Sequence, residues 1–79
     1  MAPSKRRDLA QVRKVLTRRE MQVALAVGEG ASNKEIAQRL SITERTVKAR
    51  LTSSFAKLGV RDRVQLALAV NRPSEGKPE

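Results

Sequence analysis

Cysteine, histidine, tryptophan and tyrosine are absent from the 79 residues of this chain, and Phe55 is its only aromatic residue. Without cysteine the chain forms neither a disulfide nor a thiolate metal site, and without histidine it lacks the commonest zinc ligand and the usual general base. The acidic residues stand singly along the sequence, so no pair of carboxylates suggests acid–base chemistry. We therefore expect no enzymatic activity, no metal and no other cofactor.

Long apolar segments are also missing. No run reaches the roughly 18 to 20 consecutive apolar residues that a membrane-spanning helix needs. The basic start, MAPSKRRDLAQVRK, is not followed by the uninterrupted apolar segment of a secretory signal. The sequence therefore predicts a cytoplasmic protein without a membrane partner.

Positive charge dominates the composition. Lysine and arginine number 17 against 8 acidic residues, which gives a net charge of +9 and an isoelectric point near 11.4. Such a balance favours a polyanionic partner, and nucleic acid comes before an anionic membrane because much of the charge lies in the part that looks folded. A basic surface that serves only solubility is the alternative.

Proline marks the two ends of the chain. All three prolines lie within residues 1–7 or 72–79, where little is apolar, so both ends are expected to be disordered. We predict one small domain over residues 16–71, preceded by a basic linker or weak helix over 1–15 and followed by a tail over 72–79. The weak helix is suggested by three residues that share one helical face: Leu9, Val12 and Leu16.

Capping residues divide the middle of the chain into four helices. Thr17 and Glu20 have the spacing of a capping box, and Gly28 or Gly30 can adopt the left-handed conformation that often ends a helix. With no strand signal, we predict an all-α, four-helix bundle-like domain. The predicted helices cover about residues 18–27, 35–39, 44–58 and 62–71, and the last three begin at the caps Ser32 or Asn33, Thr43 and Asp62.

The junction LSIT joins the second and third of these helices without glycine or proline. Ala37 is small enough to let the two helices cross closely, and Ile42 can fill the corner between them. Ser41 occupies a turn position where glycine is often found, so it is expected to adopt an uncommon φ. These features predict a helix-turn-helix, whose inward-facing residues are Ile36, Ala37, Leu40, Val47, Leu51, Phe55 and Leu58.

The opposite face of the long helix carries Arg45, Lys48, Ala49 and Thr52, one turn apart from each other. Lysine can donate to guanine, threonine can hydrogen-bond or offer its methyl group, and alanine can contact a thymine methyl. This face therefore suits insertion into the major groove of duplex DNA. An ordinary solvated charged face is the alternative, and the helix-turn-helix spacing favours DNA.

Residues 16–70 resemble the LuxR/GerE-type helix-turn-helix domain of NarL/FixJ response regulators, through the motifs LTRRE, SNKEIA, TVK and KLGV in order and spacing. The resemblance implies a sequence-specific bacterial transcriptional regulator that binds double-stranded DNA through residues 44–58 and dimerises weakly through its last helix. By position, base contacts are expected from Lys48, Ala49 and Thr52. We further predict phosphate contacts from Lys34, Arg45, Thr46, Arg50, Ser53 and Lys57, and a dimer interface of Val64, Leu66, Ala67 and Val70.

Two apolar residues in the first predicted helix depart from the family pattern. Met21 and Leu25 stand where the family is usually polar, four residues apart and therefore on one face. One interpretation is an outward patch that Leu9 and Val12 cover. The alternative is two incidental apolar residues on the surface.

Other functions stay open. The last helix and the Met21/Leu25 patch could form a protein-interaction or regulatory module with weak or non-specific nucleic-acid binding. A non-specific nucleoid or RNA-binding basic protein is less favoured, because RNA single strands usually stack on aromatic residues and Phe55 is assigned to the core. The sequence contains no receiver domain, so the chain is either a standalone regulator or the effector part of a longer parent chain with an N-terminal receiver domain. RNA polymerase is a further candidate partner.

Overall fold

The computed structural model describes residues 8–72, and within this range the chain forms five α-helices and no strand. The predicted all-α fold is confirmed. The ends predicted to be disordered lie outside the described residues, except for Arg72. No helix within the described range is both long and apolar enough to cross a membrane. The helices are α1 (Leu9–Val15), α2 (Arg18–Gly28), α3 (Asn33–Leu40), α4 (Glu44–Leu58) and α5 (Arg63–Asn71).

Local capping explains where the helices begin. The Thr17 hydroxyl accepts from the Glu20 N–H at 3.2 Å, and Glu20 in return accepts from the Thr17 N–H at 2.9 Å. Ser32 and Glu35 form the same reciprocal pair, so the cap of α3 is Ser32 and not Asn33. Both capping boxes satisfy N–H groups that the first turn of a helix leaves without a partner. The remaining N-caps are Asp8, Thr43 and Asp62.

The turn between α3 and α4 depends on a left-handed residue. Ser41 has a φ of 57°, as the sequence predicted, and it is the only described residue other than glycine with a positive φ. The Ile42 N–H donates to the Ala37 carbonyl at 3.0 Å, which closes the end of α3 and directs the Ile42 side chain toward the core. A left-handed residue with a Cβ costs about 1–2 kcal/mol, so this turn is maintained by the packing around it.

The core lies where α2, α4 and α5 meet, and α3 packs on α4. Its fully buried side chains come from all five helices and include Val12, Val23, Ile36, Val47 and Leu66. The inward stripe predicted for the long helix is confirmed: Val47, Leu51 and Leu58 are buried and Phe55 is half-buried. Because this stripe fixes the rotation of α4, it also determines which side chains face outward.

The suggested N-terminal helix is part of the fold. Helix α1 packs against α5 and α4, its Val12 is fully buried, and the Leu9 N–H donates to the Arg72 carbonyl at 3.1 Å. The interpretation that α1 covers an outward Met21/Leu25 patch does not hold for Leu25. Met21 is half-buried against the core, whereas Leu25 remains 40% exposed. The main contacts of α1 are with α5 and α4.

Arg63 joins the beginning of α5 to the beginning of α3. Its guanidinium donates to the Asn33 side-chain oxygen at 2.6 Å and also to the Ala31 carbonyl. Two bonds from one planar group fix both distance and direction. The link holds α5 in a defined position relative to the helix-turn-helix.

Helix α5 approaches α2 closely at Gly28. A Cβ added to this residue would overlap the Cγ2 atom of Val70, and the Asn71 side-chain amide donates to the Gly28 carbonyl at 2.9 Å. The close approach therefore requires a residue without a side chain.

We predict that Gly28→Ala lowers the free energy of unfolding by about 1–3 kcal/mol, the usual cost of overpacking a core. Helix propensity alone predicts the opposite sign, because alanine is favoured over glycine by about 1 kcal/mol within a helix. Urea unfolding followed by circular dichroism measures the difference. In a Val70→Ala background the overlap is gone, so the added methyl group should become neutral or stabilising. A gain of stability in the wild-type background would contradict the packing argument.

Candidate nucleic-acid interface

Helix α4 has a buried face and an exposed face. Lys48, Ala49 and Thr52, the three predicted base contacts, are all exposed and stand together on the side away from the core. Arg45 lies one turn before Ala49 and is exposed as well. The predicted orientation of these side chains is confirmed, and their contact with bases stays a prediction.

The helix-turn-helix that presents this face has a short corner. Residues 41–43 connect α3 to α4, and the two helices pack on each other through buried side chains. Ala37 is 7% exposed and Ile36 is fully buried, while Ile42 packs on the same core. The small side chain of Ala37 and the filled corner at Ile42 therefore match the predicted packing. Lys34 lies exposed on α3.

An open groove of about 470 Å³ runs beside the exposed face of α4. One of its lining residues, Arg50, has a buried Nε atom with no hydrogen-bond partner among residues 8–72. The groove also contains the Thr46 hydroxyl group, which accepts from the Thr43 hydroxyl and can itself donate to an anion. Its chemistry suits an oxygen-rich anion such as a phosphodiester. The lining residues are Glu20, Arg45, Thr46, Ala49, Arg50 and Ser53.

Glu20 forms the centre of a polar cluster at one side of this groove. Its Oε1 atom accepts from Lys57 Nζ at 2.8 Å and from the Thr17 N–H at 2.9 Å, and its Oε2 atom accepts from Ser53 Oγ at 2.6 Å. The Glu20 side chain is only 8% exposed, against 39% for Lys57. The carboxylate thus links the first turn of α2 to the second half of α4.

The environment of Glu20 stabilises its charged form. Burial acts to raise the pKa of the carboxyl group, but hydrogen bonds from Lys57, Ser53 and the Thr17 N–H, together with the charge of Lys57, lower the pKa from 4.5 to about 2. Glu20 therefore remains ionised at any physiological pH. An ionised carboxylate only accepts hydrogen bonds, so it holds its donors firmly.

This cluster changes what is expected of two predicted phosphate contacts. Ser53 has a single hydroxyl hydrogen and donates it to Glu20, so a phosphate contact from Ser53 requires that this bond is broken. Lys57 keeps two further N–H donors, but its charge is paired. From the sequence, Glu20 is predictable only as a capping residue. The spacing of four between Ser53 and Lys57 indicates a shared helical face, and no local signal shows what that face meets.

The predicted dimer interface on α5 needs a correction. Leu66 is fully buried and Val70 is 6% exposed, since both pack into the core of their own domain. Their side chains are therefore not available to a partner, and Ala67 is half-buried. The exposed apolar side chains of α5 are Val64 at 67% and Leu68 at 57%. Leu68 was not part of the predicted interface.

The packed five-helix core, the short corner between α3 and α4 and the exposed basic face of α4 together define a helix-turn-helix domain. Residues 14–70 match the family model of the bacterial regulatory proteins of the luxR family, also named GerE, so the chain belongs to this family. The resemblance found in the sequence is confirmed.

Several relatives are regulators by name. The chain is 51% identical over 53 residues to the transcriptional regulatory protein LnrK of Bacillus subtilis, which covers 67% of this chain and 24% of that protein. For LiaR of the same organism the identity is 44% over 57 residues, which cover 72% of this chain and 27% of LiaR. For the response regulator protein VraR of Staphylococcus aureus the identity is 41% over 59 residues, which cover 75% of this chain and 28% of VraR. The chain thus spans about a quarter of the length of these relatives.

Proposed function

We propose that this domain binds double-stranded DNA sequence-specifically, with α4 in the major groove, as the DNA-binding part of a transcriptional regulator. The observation that carries the proposal is the division of α4 into a buried apolar face and an exposed face with Lys48, Ala49 and Thr52. Membership of the luxR family and the regulatory names of the relatives support it.

In this proposal the side chains of α4 have two tasks. Lys48 donates to a guanine edge, Thr52 makes a short-range polar or methyl contact, and Ala49 allows close approach to a base. Arg45 and Arg50 bind phosphate and fix the register of the helix on the duplex. Further phosphate contacts are proposed from Thr46 and Lys57 on α4, with Lys34 on α3.

We also propose that two copies pair weakly on adjacent half-sites through α5. The exposed side chains Val64 and Leu68 stand four residues apart and, with Ala67, form a small apolar surface. A patch of this size is too small for a stable dimer in dilute solution, so DNA supplies the effective concentration. A receiver domain in a longer parent chain and RNA polymerase are further partners that we propose, and the name of VraR, a response regulator protein, agrees with the first of them.

Replacing Lys48 with alanine tests the base contact. Selection from a random pool of duplexes first provides a preferred site, and affinity is then measured against salt for that site and for a scrambled duplex. Lys48→Ala should lower affinity for the preferred site by about 1–3 kcal/mol and change the scrambled duplex much less. Equal losses on both duplexes would remove Lys48 from base recognition.

Arg45→Ala is the matched comparison, because Arg45 is exposed on the same helix and is assigned to phosphate. Arg45→Ala should lower the affinity for both duplexes about equally and reduce the slope of log affinity against log salt by about 1. Failure of the wild-type protein to bind any duplex at low salt would contradict the proposed function. That result would favour the alternative of a protein-interaction module, in which the exposed Val64 and Leu68 contact another protein.

A further inference from the structure

We infer that Glu20 is an internal competitor of DNA phosphate, a positioning residue that holds Lys57 and Ser53 in the free domain and thereby restrains non-specific DNA binding. The inference rests on the proposed function, in which this side of α4 faces the DNA backbone. It assigns to a helix-capping residue a second role in the discrimination between specific and non-specific duplexes.

The geometry of the cluster resembles an occupied anion site. An ammonium group and a hydroxyl group one helical turn apart on α4 both donate to one carboxylate that belongs to α2, at 2.8 and 2.6 Å. These are the donors that a phosphate oxygen would take in a backbone contact. The Thr17 N–H holds the carboxylate from the other side at 2.9 Å, so Glu20 stays in place when the α4 side chains move.

Some cationic side chains of α4 have an acidic partner within the domain and others do not. Arg45 and Lys48 are exposed and have no ion-pair partner among residues 8–72, whereas Lys57 is paired with Glu20. A cation next to a fixed anion contributes little to the field that attracts DNA from a distance, since the two charges cancel. Lys57 therefore adds little to non-specific attraction until a correctly docked phosphate displaces the carboxylate.

Non-specific binding gives a direct measure of this effect. It depends almost entirely on how many phosphates the protein neutralises, and each one contributes about 0.9 to the slope of log affinity against log salt. While Lys57 is paired with Glu20, it neutralises no DNA phosphate and does not contribute to the slope. Removing the Glu20 charge should allow Lys57 to neutralise a phosphate and so contribute to the slope.

The test is Glu20→Gln, measured with a scrambled duplex over a series of salt concentrations. Glutamine retains the capping box, so the start of α2 is preserved. We expect the slope to steepen by about 0.9, which corresponds to about an eightfold gain in affinity for each tenfold decrease in salt. The ratio of specific to non-specific affinity should fall accordingly.

Glu29→Gln is the matched control. Glu29 pairs with Arg39 at 2.7 Å, with side-chain exposures of 62% and 51%, so the substitution makes the same charge change and releases one arginine away from the groove. If both variants steepen the slope equally, the effect is one of net charge and the inference is overturned. The Lys57→Gln change in the Glu20→Gln background should abolish the gain, and a persistent gain would also overturn it.

A measurement on the wild-type protein needs no variant to fold. Side-chain ammonium signals of Lys48 and Lys57 are followed by NMR while scrambled duplex is added. The Lys48 signal should shift at duplex concentrations that leave Lys57 unchanged, and parallel shifts would overturn the inference. Absence of any duplex binding by the wild-type protein would instead contradict the proposed function, so the two failures are distinguishable.

Discussion

Leu66→Ala is expected to lower the free energy of unfolding by about 2–5 kcal/mol, the cost of removing a fully buried leucine side chain. Small domains have a total stability of about 5–15 kcal/mol, so the variant should lose a large share of it. Leu66 lies in the core, and the helix that carries it packs mainly against α2. Urea unfolding monitored by circular dichroism gives the difference directly.

Val64→Ala on the same helix is the control. Val64 is 67% exposed, and a substitution at such a position changes stability by about 0.5 kcal/mol or less. In sedimentation experiments on a DNA duplex with two half-sites, Val64→Ala should instead weaken the pairing of two copies. The assignment of Leu66 to the core and Val64 to the exposed side of α5 would be contradicted if Leu66→Ala left monomer stability unchanged and affected only association.

The sequence did not indicate which face of α5 is buried, because this helix is apolar nearly all round. Two residues of the predicted dimer interface, Leu66 and Val70, are therefore found in the core. Periodicity selects an inward face only where apolar and polar residues alternate at helical spacing. In α5 the face is decided by contact with α2, where Gly28 permits close approach to Val70. Such a contact joins parts of the chain that are distant in sequence, so no local pattern contains it.

Helix α4 shows the opposite case. Its predicted bounds agree with the observed Glu44–Leu58, since a threonine cap and a left-handed glycine define both ends locally. Its inward stripe fixes the rotation, and the outward residues follow from geometry. The part of the candidate site that depends on this rotation, the exposed set with Lys48 and Thr52, could therefore be predicted.

The Glu20 cluster lay beyond sequence reasoning for a physical reason. Lys57 and Ser53 are 37 and 33 residues away from Glu20, and only the packing of α2 on α4 brings them together. The sequence did suggest α1, but this helix of 7 residues is too short to be stable by propensity alone. Burial of Val12 and Leu16 stabilises it.

The Glu20 cluster makes the free energy of unfolding of the domain depend on pH in the acid range. The pKa of Glu20 is lowered from 4.5 to about 2 in the folded state, so the folded state favours the ionised form more than the unfolded chain does. The resulting stabilisation is complete above about pH 5 and decreases as the pH falls from 4.5 toward 2. A shift of this size corresponds to about 3 kcal/mol.

Urea unfolding at a series of pH values between 7 and 2, at constant ionic strength, tests this dependence. The wild-type protein should lose about 3 kcal/mol more than Glu20→Gln over the acid part of the series, because glutamine has no proton to gain there. Parallel curves for the two proteins would show that Glu20 is not held by Lys57 and Ser53 in solution. A steeper decrease in the wild-type protein ties the same ion pair to folding and, through the salt slope of DNA binding, to the proposed restraint on Lys57.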